Sequence, residues 1–87
     1  MNKITLSEAR KLAMDALKKL AEEQALGDLM IIEEAIVETD AAWYFPYDAT
    51  AFVLHGNISS ALAGNLPVKV SRDGTVLTYE APPPGPE

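Results

Sequence analysis

Trp43-Tyr44-Phe45-Pro46-Tyr47-Asp48 is the stretch that decides how this chain folds. It holds the only tryptophan, two of the three tyrosines and one of the two phenylalanines. Aromatic side chains are the largest rigid surfaces a small domain can bury. The stretch is therefore the centre of the core or an anchor for a partner.

Alternation separates the two roles along a strand, because successive side chains point to opposite faces. Trp43, Phe45 and Tyr47 share one face, which we expect to be the core, and Tyr44 lies on the other. Pro46 cannot donate a ladder hydrogen bond, which predicts a sheet edge or a local irregularity at that point.

An amphipathic helix precedes this strand. Thr5 and Glu8 have the spacing of a capping box, and Gly27 offers a left-handed stop. The pattern predicts a helix from about residue 6 to about residue 25. Its apolar stripe recurs at three- and four-residue spacing: Leu6, Ala9, Leu12, Ala13, Ala16, Leu17 and Leu20.

Residues 29–39 are predicted to form a strand with one solvated face, because aliphatic residues alternate there with Glu33, Glu34 and Glu38. The alternation changes phase midway along the segment. A bulge near Glu33 and Glu34 would restore it.

After Asp48 the strand is expected to resume over residues 51–55, followed by a loop over 56–65 with one helical turn at 59–62. Residues 66–71 and 75–80 are predicted strands. Arg72-Asp73-Gly74 between them is typical of a tight hairpin, because Asp-Gly accepts the positive φ that such turns need. The proline-rich residues 81–87 are predicted to be a disordered tail.

These elements predict the α+β class, with the N-terminal amphipathic helix packed on an antiparallel sheet of about four strands in a meander. The chain has 87 residues, so we expect a single domain over residues 1–80 followed by the tail.

The formal net charge of −6 and the absence of cysteine limit the functions to consider. An acidic chain repels nucleic acid and anionic lipid, so we expect neither as a partner. The charge would instead speed encounter with a basic protein. From its first residues we expect neither a secretory signal nor a spanning segment, and a cytoplasmic location is the default expectation.

Few residues in the sequence are candidates for catalysis. His55 is the only histidine, and its place near a predicted strand end is typical of a structural or surface role. Glu33 and Glu34 point to opposite faces of a regular strand and cannot act as a carboxylate pair without the bulge. We expect no enzymatic activity, no catalytic residue, no metal and no cofactor.

Gly64-Asn65-Leu66-Pro67 is predicted to turn a loop into a strand, since Gly and Asn accept left-handed backbone and Pro can open a strand. The alternative interpretation is a shaped loop that meets a partner.

The order and spacing of these features resemble the immunity protein 35 family, also called the YrhB-like domain. The similarity spans about residues 5 to 80 and rests on the amphipathic helix, the Trp43-Tyr44-Phe45-Pro46-Tyr47 strand, the segment Gly64-Asn65-Leu66-Pro67-Val68-Lys69-Val70 and the Gly74 turn. Ser71 departs from the acidic residue expected there, and Asp73-Gly74 replaces a Thr-Gly turn.

The resemblance implies a bacterial immunity protein of a polymorphic toxin system, which neutralises a cognate toxin, often one with a papain-like peptidase domain. It also implies that Trp43, Phe45, Gly64, Asn65 and Pro67 are the matching positions, important to the scaffold. A chaperone-like protein that captures extended polypeptide by strand addition is the alternative.

Either function needs a contact surface. The predicted partner-binding residues are Tyr44, Tyr47, Glu34 and Glu38, provided that their face is exposed, together with Asn65. Both a monomer and a homodimer remain open, because a strand edge near Pro46 could be a boundary or a dimer seam. The positions expected to be structural are Trp43, Phe45, Gly64, Pro67 and Gly74.

Overall fold

The computed structural model describes residues 3–62 and 64–84. The chain is α+β, as predicted, with an N-terminal helix packed on antiparallel sheets. The helices are α1 (Leu6–Gln24) and α2 (Thr50–His55), and the strands are β1 (Leu29–Ile31), β2 (Val37–Glu38), β3 (Ala42–Phe45), β4 (Tyr47–Ala49), β5 (Val68–Ser71) and β6 (Leu77–Tyr79).

The predicted capping box begins α1. The Thr5 hydroxyl accepts from the Glu8 amide at 3.1 Å, and the Thr5 amide donates to the Glu8 carboxylate at 2.8 Å. The predicted left-handed residue that ends the helix, Gly27, lies too far along the chain. Ala25 already adopts the left-handed conformation, with a φ of 52°. The amides of Ala25 and Leu26 both return to the carbonyl of Ala21, so the helix ends before Gly27 is reached.

The core lies between α1 and the sheets. Trp43, Phe45 and Tyr47 are all buried on the same side, as alternation predicted. The larger sheet has the order β2-β3-β5-β6, and β4 leaves it to pair with β1 in a separate two-stranded sheet. The remaining buried members of the core are Ala9, Ala13, Leu17, Ile31, Val68 and Val70.

Pro46 is the point at which one strand passes from the larger sheet to the smaller. Its carbonyl accepts the Ile32 amide at 2.9 Å, and a 3₁₀ turn, Glu33–Ala35, lies just beyond Ile32. This turn takes the place of the predicted bulge. Because it shifts the phase of the segment, both Ile31 and Ile36 pack against the core.

Residues 51–55 are not a strand, contrary to prediction; they belong to α2. The ladder stops because β1 begins at Leu29, which already faces Ala49, so no partner remains for the residues that follow. The amide of Thr50 donates to the carbonyl of Asp28 at 2.9 Å, and later amides are satisfied within the helix. The predicted helical turn is a 3₁₀ turn at Ile58–Ser60.

The Asp73-Gly74 turn joins β5 to β6 as predicted. The Gly74 amide donates to the carbonyl of Ser71 at 2.9 Å, and Gly74 has a φ of 76°. One oxygen of Asp73 accepts from the Ser71 hydroxyl at 2.9 Å and from the Thr75 amide and hydroxyl at 3.0 and 2.7 Å. Residues 81–84 form no helix or strand, and the rest of the predicted tail, 85–87, lies outside the described residues.

Candidate functional site

A groove of about 480 Å³ lies between the C-terminal end of α1 and the end of β6. We call it the tyrosine groove, because Tyr47 and Tyr79 both line it. Asn65 and Gln24 supply its polar side chains. The aliphatic lining is Leu20, Leu26, Leu62 and Leu66.

The two tyrosines meet edge to face, with ring centroids 6.4 Å apart and an interplanar angle of 72°. Tyr47 is 6% exposed, whereas Tyr79 is 36% exposed and forms the open side. Burial raises the pKa of the Tyr47 phenol, against the opposing hydrogen bond with Asn65. Burial also raises the pKa of Tyr79, helped by Tyr47 and by the charge of Glu23. Both rings therefore present neutral, partly apolar surfaces at neutral pH.

Asn65 fixes the loop that closes one end of the groove. Its side-chain amide donates to the carbonyl of Tyr47 at 2.9 Å, and thereby ties the loop to β4. Gly64 beside it has a φ of 74°, the left-handed conformation that the sequence allowed for Gly64 and Asn65, whereas Asn65 does not adopt it. Two of the predicted contact residues, Tyr47 and Asn65, are thus brought together here.

The rim of the tyrosine groove at the end of α1 is acidic. Glu23, whose charge acts on Tyr79, is exposed in the last turns of the helix, whose final turn has no basic residue. It lies at the negative end of the helix dipole, which adds to its charge rather than offsetting it. A cationic group approaching this rim would be attracted.

The predicted acidic contacts lie elsewhere. Glu34 is exposed within the 3₁₀ turn. Glu38 accepts from the Arg72 guanidinium at 2.7 Å, and strand register places it opposite Trp43. Glu38 therefore lies on the Trp43 face of the sheet, and the prediction that it accompanies Tyr44 is wrong, because the turn before β2 changes the phase.

Tyr44 does not meet the condition attached to its predicted role. Its side chain is only 4% exposed, although it lies on the sheet face opposite Trp43. Neighbouring strands place Val37 and Lys69 beside it, and the Lys69 ammonium lies 5.8 Å from the ring centroid. Tyr44 is therefore not available to a partner in this conformation.

Groups considered for catalysis are dispersed. His55 is exposed at the end of α2, and Glu33 is paired with Arg10 at 3.0 Å. Among residues 3–62 and 64–84, no group of three or more His, Cys, Asp or Glu side chains could hold a metal ion. No helix in these same ranges is long and apolar enough to cross a membrane.

A second depression, with the larger volume of about 700 Å³, lies along another face of α1. Its charged lining is Asp15, Lys18, Glu22 and Asp28, all exposed, and none of the described aromatic residues contributes to it. Solvated charges of this kind contribute little to binding, so we place the candidate site at the tyrosine groove.

Sequence reasoning missed Tyr79, which forms the open side of the groove. The available signal was its place in the last strand of the predicted meander, where a strand has one unpaired side. No protein-family model matches the chain, and neither a curated protein nor a solved structure matches it significantly.

Proposed function

We propose that this chain is a non-enzymatic immunity protein that binds a cognate bacterial toxin in the cytoplasm and occludes its active site. The observation that carries the proposal is the tyrosine groove, which combines apolar walls, the Asn65 amide and an acidic rim. The resemblance to the immunity protein 35 family supports the same function. It also favours a toxin with a papain-like peptidase domain.

The side chains of the tyrosine groove are of the kinds that supply binding energy at protein interfaces. Aromatic side chains carry a large share of the energy of many interfaces, and Tyr79 and Leu66 are both partly exposed. The net charge of −6 would speed encounter with a toxin whose surface is basic. Such a partner surface would also meet the Glu23 carboxylate at the end of α1.

The test is inhibition of the toxin encoded beside this gene, purified as its peptidase domain and assayed for hydrolysis. We expect stoichiometric inhibition by the wild-type chain. Tyr79→Ala and Leu66→Ala should each weaken inhibition by about tenfold, equivalent to about 1.4 kcal/mol of binding free energy.

Leu54→Ala is the matched control, because Leu54 is a 63% exposed aliphatic residue on α2 and does not line the groove. It should inhibit like the wild-type chain. Equal inhibition by all variants would remove the groove from the mechanism. A neighbouring gene product that this chain neither binds nor inhibits would contradict the immunity function.

A chaperone-like function is favoured by a different observation. Val76, just before β6, and Leu77 and Tyr79 within it are partly exposed apolar residues. Contiguous exposed apolar surface suits capture of unfolded polypeptide. Affinity capture from the native host separates the two functions: one dominant basic partner supports immunity, and a broad set of unfolded clients supports the chaperone.

A further inference from the structure

β6 is an edge strand of the four-stranded sheet, with β5 as its one neighbour in the part of the chain that the structure describes. The Ser71 amide donates to the carbonyl of Val76 at 3.0 Å, and the Glu80 amide donates to the carbonyl of Pro67 at 3.1 Å. These two bonds fix the register of the antiparallel ladder, in which hydrogen-bonded and non-bonded positions alternate.

Leu77 and Tyr79 therefore hold the non-bonded positions, opposite Val70 and Val68. Their backbone N–H and C=O groups point away from β5, toward the free edge. Outward-pointing backbone groups of this kind are a template for another strand. The outward-facing groups and the tyrosine groove meet at Tyr79.

The opposite edge of the same sheet is protected by comparison. β2 has two residues, follows a 3₁₀ turn, and its Glu38 is held by Arg72. Short strands, irregular backbone and charge are the usual devices that block edge pairing. The segment Thr75-Val76-Leu77-Thr78-Tyr79 contains no charged residue and no proline. β6 therefore lacks the charge that would block pairing at its edge.

The side chains of β6 extend the core face of the sheet. Leu77 and Tyr79 share that face with Val70 and Val68 by register, yet they are 37% and 36% exposed. The helix covers β3 and β5 and leaves this last strip open. An added strand would place every second side chain against Leu77, Tyr79 and the groove.

Charge identifies the occupant. Glu23, at the negative end of α1, acts on the Tyr79 phenol beside the free edge. The acidic chain as a whole disfavours pairing with a second copy of itself. The complementary occupant is an extended segment with alternate apolar residues and a lysine or arginine at its end.

We propose that the free edge of β6 binds such a cationic, alternately apolar segment of the partner by strand addition, with its apolar side chains entering the tyrosine groove. This inference rests on the proposed function, because it names how the partner is held. The segment gains backbone hydrogen bonds from Leu77 and Tyr79 and a charge contact at the end of α1.

The probe is the capped peptide Lys-Val-Thr-Val-Thr-Val-Lys, titrated into the full chain and followed by NMR. We expect amide hydrogen exchange at Leu77 and Tyr79 to slow by about tenfold or more at saturation. Two peptide controls, one with glutamate in place of both lysines and one with every amide N-methylated, should bind at least about tenfold more weakly. Unchanged exchange at both amides would overturn the inference.

The variants Leu77→Lys and Val37→Lys form a matched pair, because Leu77 is 37% exposed on one edge and Val37 is 38% exposed on the other. Leu77→Lys should weaken peptide binding by about tenfold or more, and Val37→Lys by less than about twofold. Equal effects would overturn the inference. Circular dichroism verifies that both variants fold. Comparison of the plain and N-methylated peptides on the wild-type chain tests backbone pairing without any variant.

The two proposals fail in different ways. Neutralisation of the toxin that is unaffected by Leu77→Lys would overturn strand addition and leave the immunity function in place. Peptide binding at β6, with no toxin neutralised, would overturn the immunity function and support the edge site.

Discussion

The guanidinium of Arg72 lies over the indole ring of Trp43, with 4.4 Å between its central carbon and the ring centroid. The same guanidinium donates to Glu38 at 2.7 Å. Arg72→Ala should lower the free energy of unfolding by about 1–2 kcal/mol, because it removes both the cation–π contact and the side chain that covers the indole. Urea unfolding followed by the fluorescence of Trp43, the only tryptophan, measures this loss.

Two variants separate the contact of Arg72 with the Trp43 indole from its ion pair with Glu38. Glu38→Gln should cost less than about 0.5 kcal/mol, since the Glu38 side chain is 57% exposed and such pairs are weak. The loss of unfolding free energy for Arg72→Lys should lie between those for Arg72→Ala and Glu38→Gln, because lysine keeps the charge and loses the planar contact. A loss for Glu38→Gln as large as that for Arg72→Ala would contradict this assignment.

Gly74→Ala should destabilise the chain more than Gly27→Ala. Both glycines have positive φ, 76° and 73°, so each substitution costs about 1 kcal/mol in backbone strain. A Cβ at Gly74 would also lie 3.1 Å from the Ile4 side chain, whereas a Cβ at Gly27 meets none of the described residues within 4 Å. We expect a further loss of about 1 kcal/mol or more at Gly74. Thermal unfolding of both variants gives the difference, and equal losses would show that Ile4 moves aside freely.

Asp73 should make the stability of the chain depend on pH in the acid range. Hydrogen bonds from Thr75 and then Ser71 hold the pKa of the Asp73 carboxyl below its ordinary value. The stabilisation is complete above the ordinary aspartate pKa of about 4 and is lost as the pH falls through the lower folded pKa. Asp73→Asn should therefore be less stable than the wild-type chain at neutral pH, with the difference shrinking in strong acid. A difference that stays constant with pH would contradict this origin.

Glu23→Gln should lower the pKa of the Tyr79 phenol toward its ordinary value. Burial is the main cause of the raised pKa, with Tyr47 second and Glu23 third, so the pKa should remain raised in the variant. NMR titration of ring-labelled tyrosine follows Tyr79 separately from the other two tyrosines. Glu22→Gln is the matched control, because it removes the neighbouring acid and should leave the Tyr79 pKa unchanged. An unaltered pKa in Glu23→Gln would remove Glu23 from the rim of the groove.

Local chemistry was readable from the sequence. The capping box of Thr5 and Glu8, the Asp73-Gly74 turn and the shared face of Trp43 and Phe45 each depend on residues close together in the chain. For such features the sequence contains both the cause and its partner. The α+β class followed from their order.

Features that depend on distant partners were not readable. The strand at Tyr47 gives way to α2 because β1 begins at Leu29 and offers no further partner, and no local pattern in residues 51–55 records that. Glu38 lies on the opposite sheet face from the one predicted, because the Glu33–Ala35 turn shifts the alternation of the residues that follow it. The groove at Tyr79 needs the ends of α1 and β6 to meet, which only the tertiary packing determines.

The shortness of β6 sets a limit on how tightly its edge can hold anything. Leu77 and Tyr79 offer an N–H and a C=O each, and every hydrogen bond they form contributes a net of about 0.5–1.5 kcal/mol, or roughly 2–6 kcal/mol for the set. Association alone costs about 4–15 kcal/mol in lost translation and rotation. Backbone pairing therefore cannot sustain a long-lived complex, and selectivity passes to the side chains that fill the groove. A segment with the wrong side chains would dissociate quickly, so this edge would sample many strands and retain few.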